Sequence, residues 1–360
     1  MQRRDFLVAL AGLGAFGPFG LEAAAAVEFA PVLPGRRLVF PADHGAHPDF
    51  RTEWWYATGW LNLPEGSPLG FQITFFRVRT GIGEENASAF APRQLILAHA
   101  ALADPALGRL RHDERSARLG FGRAGFATGQ TKVWVDDWRF EQQADKYRAV
   151  VQSAEFAYAL NLVTSGPPML NGQAGFSTKA ADPRHASYYY SLPQLKVDGT
   201  VTLAGKTRPV SGLAWLDHEW SSEVLAPGAQ GWDWIGINLA DGSALMAFRL
   251  RGDDSALWSA ATFRQADGST RSFPPEAVTF EALRQWRSPR TGIAYPVEWR
   301  VRLEQRVFRL QVLMDDQELD SRRSTGAIYW EGAVRLLEDG REVGRGYLEM
   351  TGYGEKMRLG

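Results

Sequence analysis

The chain has 360 residues, 45% of them apolar and 12% aromatic, with 13 Trp, 37 Gly and 19 Pro; so many large apolar side chains build a core and exclude disorder as the dominant state. Lys and Arg number 40 against 41 Asp and Glu, a net charge of −1 with no long run of either sign, so the electrostatic footprint of a nucleic-acid partner is missing. Cysteine is absent, which excludes disulfides, thiolate metal centres, Cys nucleophiles and a lipid-bearing Cys.

Residues 1–26 open with Arg3-Arg4, continue through an apolar stretch at 6–21 and end in four alanines at 23–26. This order of charge, apolar run and small residues predicts an export signal cleaved near Ala26, with a mature chain starting near Val27 and a periplasmic or secreted location. Arg3-Arg4-Asp5-Phe6-Leu7 resembles the twin-arginine export motif, although Gln2 and Val8 depart from it and leave ordinary secretory export open. The stretch carries Gly and Pro and falls short of the roughly 20 apolar residues of a stable span, so no permanent membrane anchor is expected.

After Val27, short runs rich in Val, Ile, Phe, Trp, Tyr and Thr alternate with Gly, Pro, Asn or Asp. They predict strands over 54–63, 69–79, 94–102, 131–141, 148–153, 156–163, 232–239, 244–250, 297–303, 307–313 and 326–336. Helical periodicity is scarce, and 275–286 is the best helix candidate. Without regular strand–helix alternation, the expected class is all-β, as antiparallel barrels or sandwiches.

Residues 61–69 (Leu-Asn-Leu-Pro-Glu-Gly-Ser-Pro-Leu) and 237–245 (Ile-Asn-Leu-Ala-Asp-Gly-Ser-Ala-Leu) look like copies of one hairpin, since an acidic-Gly pair between apolar runs is a strong turn signal. Each copy follows a Trp-rich strand, which favours duplication over convergence. The expected domains are therefore 27–213 and 214–360, and the Gly/Pro-rich stretch 165–183 reads as an ordered connection or lid within the first.

Three clusters carry chemical interest. Alternation along a strand sends Glu53 and Trp55 to one face and Trp54 and Tyr56 to the other, so one face can line a cavity. In 215–220, Trp215, Asp217 and Glu219 share a face opposite Leu216, His218 and Trp220, an acid/base group beside aromatics that could protonate an alkene and stabilise the cation. A His–carboxylate pair that only holds a junction reads equally well. In Trp232-Asp233-Trp234 both Trp share a face, and Asp233 reads as a strand charge on the other. His44-Gly45-Ala46-His47-Pro48-Asp49 offers zinc-type donors, but in a Gly/Pro loop without a second ligand cluster it reads as a cap on the first barrel. No metal and no cofactor is expected.

On these residues, with Tyr329-Trp330-Glu331-Gly332 and 346–353, the chain resembles the lipocalin-like family of carotenoid 1,2-hydratases (hydroxyneurosporene synthases) and secreted proteins called predicted hydrolases. The resemblance implies two packed lipocalin-like β-barrels and an apolar ligand. In the hydratases a His-x-Trp pair and a later Tyr/Asp pair accompany hydration of a double bond; His218-Glu219-Trp220 matches the first, whereas Trp232-Asp233-Trp234 stands where the second is sought. The match supports catalytic roles for His218 and Trp220; with the strand-face reading above, the catalytic candidates are His218, Trp220, Asp217 and Glu219, and the ligand-contact candidates Glu53, Trp54, Trp55, Tyr56, Trp232, Asp233 and Trp234. Three functions follow: a protein that binds or handles a long isoprenoid, polyene or lipid-like molecule, alongside an ABC-type exporter; a hydro-lyase or isomerase acting on such a molecule; or a secreted hydrolase, for which the sequence displays no nucleophile.

Overall fold

The computed structural model describes residues 27–253 and 255–356, so the signal expected over 1–26 lies outside the described residues. Among these there is no α-helix, and the only helical pieces are two 3-10 turns, Ala42–His44 and Pro275–Ala277. Among the described residues no helix is long and apolar enough to cross a membrane.

The first sheet comprises β1 (Thr52–Asn62), β2 (Pro68–Arg79), β3 (Gln94–Asp104), β4 (Arg109–Arg118), β5 (Ala124–Phe126), β6 (Lys132–Val135), β7 (Trp138–Gln143), β8 (Lys146–Gln152), β9 (Phe156–Val163), β10 (Met169–Leu170), β11 (Phe176–Thr178), β12 (Ala186–Leu203) and β13 (Lys206–Ser221). The second comprises β14 (Gly231–Leu239), β15 (Ala244–Arg251), β16 (Ala256–Arg264), β17 (Thr270–Phe273), β18 (Val278–Arg287), β19 (Ala294–Leu303), β20 (Arg306–Val312), β21 (Glu318–Ser321), β22 (Ala327–Glu338) and β23 (Arg341–Met350). Every pairing is antiparallel, and the orders are β4-β3-β2-β1-β13-β12-β9-β8-β7-β6-β5 and β17-β16-β15-β14-β23-β22-β20-β19-β18. The all-β class and two packed lipocalin-like units are thus found. The first sheet nearly closes on itself: Arg115 of β4 pairs with Asp137 in the β6–β7 turn and donates to the Gln152 carbonyl at 2.9 Å.

The two hairpins are equivalent. Leu61 pairs with Leu69 and Ile237 with Leu245. In each turn the leucine at the third position, Leu63 or Leu239, donates its amide to the following serine carbonyl, and Gly66 and Gly242 both adopt φ 87°. That left-handed conformation is why glycine occupies both positions. Each hairpin also pairs through its first strand with the last long strand of its sheet, β1 with β13 and β14 with β23.

Three expectations are corrected. The boundary near 214 falls inside β13, which pairs along its length with β1 and β12; the chain changes sheet only between Ser221 and Gly231. The helix expected over 275–286 is a single turn followed by β18, where Val278 and Phe280 are buried and Thr279 and Glu281 exposed, an alternation of period two in strand-favouring residues. The strand expected over 131–141 is a hairpin, broken at Asp136 with φ 52°. The 165–183 stretch is ordered as expected, and it reaches the second sheet, where Ser272 Oγ donates to the Gly172 carbonyl at 2.7 Å.

Each sheet wraps its own core, around Trp55, Phe71, Phe75, Trp138 and Trp220 in the first and Ile235, Trp299, Leu310, Trp330 and Leu348 in the second. Full burial of each such side chain stabilises by about 1.5–3 kcal/mol. A third cluster, including Tyr56, Trp60, Trp215, Trp234, Met246, Phe248 and Tyr347, forms the seam between the sheets. Polar ties lock this seam: Trp60 Nε1 donates to the Gly346 carbonyl at 3.0 Å, Asn238 Nδ2 to the Ala214 carbonyl at 3.0 Å, and the Gln194 amide to Asn238 Oδ1 at 2.7 Å.

Candidate functional site

A cavity of about 250 Å³ opens at the seam. Because side chains alternate, β1 and β13 turn one set of residues into the first core and the other toward the second sheet. Trp54, Tyr56, Asp217 and Glu219 belong to the second set and line the cavity, facing Trp232, Trp234, Phe248, Glu331 and Glu349 of the second sheet.

Carboxyl groups sit in this aromatic wall. Asp217 accepts from Tyr189 Oη at 2.7 Å, Ser191 Oγ at 2.5 Å and Trp215 Nε1 at 2.6 Å. Burial outweighs these bonds and pushes its pKa up to about 7. Burial also raises Glu349 to about 8, with the charges of Asp217 and Glu219 adding to it, and lifts Glu331 well above the carboxylate range, with Glu349 beside it contributing. Glu331 Oε1 and Tyr56 Oη are both buried without a hydrogen-bond partner among the described residues. Glu219 is held differently: Lys179 Nζ lies 2.8 Å from Oε1, Ser187 Oγ donates to it, and the lysine sits 4.3 Å over the Phe248 ring. The cavity therefore holds carboxyl groups that burial shifts toward their protonated forms, one lysine–carboxylate pair, and phenols whose ionisation burial suppresses.

The other face of the same strands carries a separate network inside the first barrel. Glu53, fully buried, is 2.7 Å from Arg77 Nε, 2.8 Å from His218 Nε2 and 2.8 Å from His47 Nδ1. His47 Nε2 reaches Asp43 at 3.0 Å, and its ring stacks on Trp220 at 3.7 Å. Burial would raise Glu53, but Arg77 and the two imidazoles hold it well below the carboxylate range. Burial likewise opposes a proton on His47, and its two carboxylate partners raise the pKa regardless. His218 is lowered, with burial outweighing Glu53, and its Nδ1 meets Tyr190 Oη at 3.1 Å.

His218 and Trp220 do not line the cavity: both are fully buried on the core side of β13, as is Trp55 on β1. A carboxyl within reach of His218 is present, as Glu53. Asp233, expected as a strand charge or ligand contact, is buried inside the second barrel with Arg249 at 2.6 Å and Tyr353 Oη at 2.8 Å. Of the 44–49 loop, His44 and His47 cap the first barrel from within, whereas Asp49 is exposed. His47, Glu53 and His218 bring donor atoms within 4.8 Å of one another, but Arg77 already supplies the positive charge at that carboxylate. Sequence reasoning missed Glu331, Glu349, Tyr329, Tyr189, Lys179 and His99 on the cavity wall. Tyr329-x-Glu331 and Tyr347-x-Glu349 share a signal that could have found them: acid and phenol two residues apart on one strand face.

The AttH-like family profile matches residues 31–353. The chain is 54% identical to a Nitrosomonas europaea protein assigned as AttH and superposes on its crystal structure with a TM-score of 0.85, covering 90% of this chain and 100% of that one. Kievitone hydratase from Nectria haematococca is similar at 14% identity and a TM-score of 0.67, over 91% of this chain and 96% of that one. CghA, solved with Sch210972, gives 14% and 0.52 over 85% and 90%. At that identity the last two share the fold alone. No curated protein matches.

Proposed function

The chain belongs to the AttH-like family, and from that premise we propose that it takes an elongated, neutral, isoprenoid- or polyene-like molecule into the seam cavity and protonates it from a buried carboxylic acid. The support is the pairing of Glu331, whose carboxyl burial and the neighbouring Glu349 push well above the carboxylate range and whose Oε1 is unpartnered among the described residues, with the ring faces of Trp54, Tyr56 and Trp234 around the same space. The acid O–H bond breaks as a C–H bond forms at one alkene carbon, leaving a carboxylate and a carbocation that the aromatic faces stabilise. Water adding to the cation returns a proton to the carboxylate and gives hydration. Loss of a neighbouring C–H proton to the same carboxylate gives a shifted double bond instead. Either way the acid is restored. The fold shared with a kievitone hydratase is compatible with this chemistry.

Uptake and transfer without chemistry, in the periplasm beside an ABC-type exporter, is favoured by one feature: Trp54, Val224, Leu225 and Trp232 are half-exposed at the cavity edge, a route by which a ligand leaves whole. Mass spectrometry of molecules extracted from protein purified in its own compartment separates the two. Hydration predicts apolar molecules in pairs differing by one water, and Glu331→Gln should keep binding while losing roughly 10²-fold or more in turnover. The same extract from both proteins would leave the carrier reading, and no apolar extract would remove both.

A further inference from the structure

His99 stands between two spaces. It lines the seam cavity with Tyr329, and a second, polar cleft of about 360 Å³ at the surface is lined by Asp113, Glu114, Arg115, Asp136, Arg323 and Ser324. A continuous hydrogen-bonded chain joins them. Tyr329 Oη is 2.7 Å from His99 Nδ1, His99 Nε2 is 2.8 Å from Ser324 Oγ, and Ser324 donates to Glu114 Oε2 through its hydroxyl and, at 2.9 Å, its amide. The order is set by both sheets, since His99 and Glu114 are cross-strand partners on β3 and β4 while Ser324 and Tyr329 lie in and after the turn before β22.

We propose that Tyr329, His99, Ser324 and Glu114 form a relay that exchanges protons between the seam cavity and the surface cleft while an apolar molecule fills the cavity. An ionised Glu114 only accepts, so the bond directions follow: Ser324 O–H points to Glu114, His99 Nε2–H to Ser324 and Tyr329 O–H to His99 Nδ1. When a cavity acid gives Tyr329 a proton, Tyr329 passes its own to Nδ1, Nε2–H passes to Ser324, and the serine proton passes to Glu114. One bond breaks and one forms at each junction, His99 changes tautomer without carrying net charge, and the reverse sequence carries a proton inward. Burial lowers the His99 pKa to about 3, which suits a group that hands a proton on and does not store it. Tyr329 lies two residues from Glu331 on the same strand face.

The inference rests on the reading of Glu331 as a protonated acid, and one experiment separates the two. The cavity is filled with the neutral probe N-phenyl-1-naphthylamine, the protein is mixed into D₂O, and exchange at the protonated carboxyl is followed by its infrared C=O band, assigned with Glu331→Gln. Ser324→Ala and His99→Phe should slow exchange on the order of tenfold or more, Ser324→Thr should retain it, and imidazole should restore it in His99→Ala. A tie that merely holds the sheets together would shift melting temperature without affecting the exchange rate. Unchanged exchange in folded Ser324→Ala and Glu114→Gln overturns the relay and leaves the acid in place. Absence of the band overturns the acid and the relay with it.

Discussion

Glu53 shows how one buried carboxylate organises its surroundings: Arg77, His47 and His218 all point at it, and Glu53, Arg77 and His218 are shut off from bulk water. Removing one partner of a buried pair costs about 3–5 kcal/mol, so Glu53→Gln should lower stability by that order in urea titration. A loss below 1 kcal/mol would show that the network is dispensable. The seam acids act in the opposite sense with pH. Glu349 keeps its proton to about 8 when folded, against 4.5 for an ordinary glutamate. Between those values the folded chain binds the extra proton, so stability declines as pH rises through that window. Glu349→Gln removes this titration, and its melting temperature should fall less than that of the unaltered chain from pH 4.5 to about 8; parallel profiles would place the carboxyl in water.

Strand alternation made much of the site legible. It places Trp54 with Tyr56 and Asp217 with Glu219, but it does not say which face of β13 meets the core. His218 and Trp220 look more chemical in sequence than their neighbours, yet they fill the first barrel, where His47 stacks on Trp220 and Trp55 and Tyr190 pack against His218. Glu331 and Glu349 stayed hidden for a different reason: each reads as an ordinary strand acid until the seam buries it. The 275–286 error arose because an apolar face and a proline start suit helix and strand alike over so short a run. At this scale Gly70 of β2 is a sensitive position, since an added Cβ would lie 2.6 Å from Tyr347 Oη and 2.9 Å from Ala333 Cβ across the seam. Gly70→Ala should destabilise by about 1–3 kcal/mol, the usual cost of overpacking, measured by thermal unfolding; a neutral change would mean the sheets can move apart.

The described residues form two antiparallel sheets, the first nearly closed, each wrapped around its own core and pressed together along a third apolar cluster. A ligand in the seam touches both at once. N-phenyl-1-naphthylamine at 100 times its dissociation constant should stabilise the fold by about 2.7 kcal/mol and slow amide exchange in β1 and β14 together. Protection confined to one sheet would mean that the probe occupies a barrel interior. The location of the cavity also bears on how such a protein diversifies. Had the ligand lain inside a barrel, each change of cargo would have meant rebuilding a core. Here the side chains of Trp54, Tyr56, Trp232, Trp234 and Phe248 all point away from both barrel cores. Replacing them can reshape what is accepted while both cores stay intact, so descendants of one ancestor can part ways in diet without parting ways in architecture.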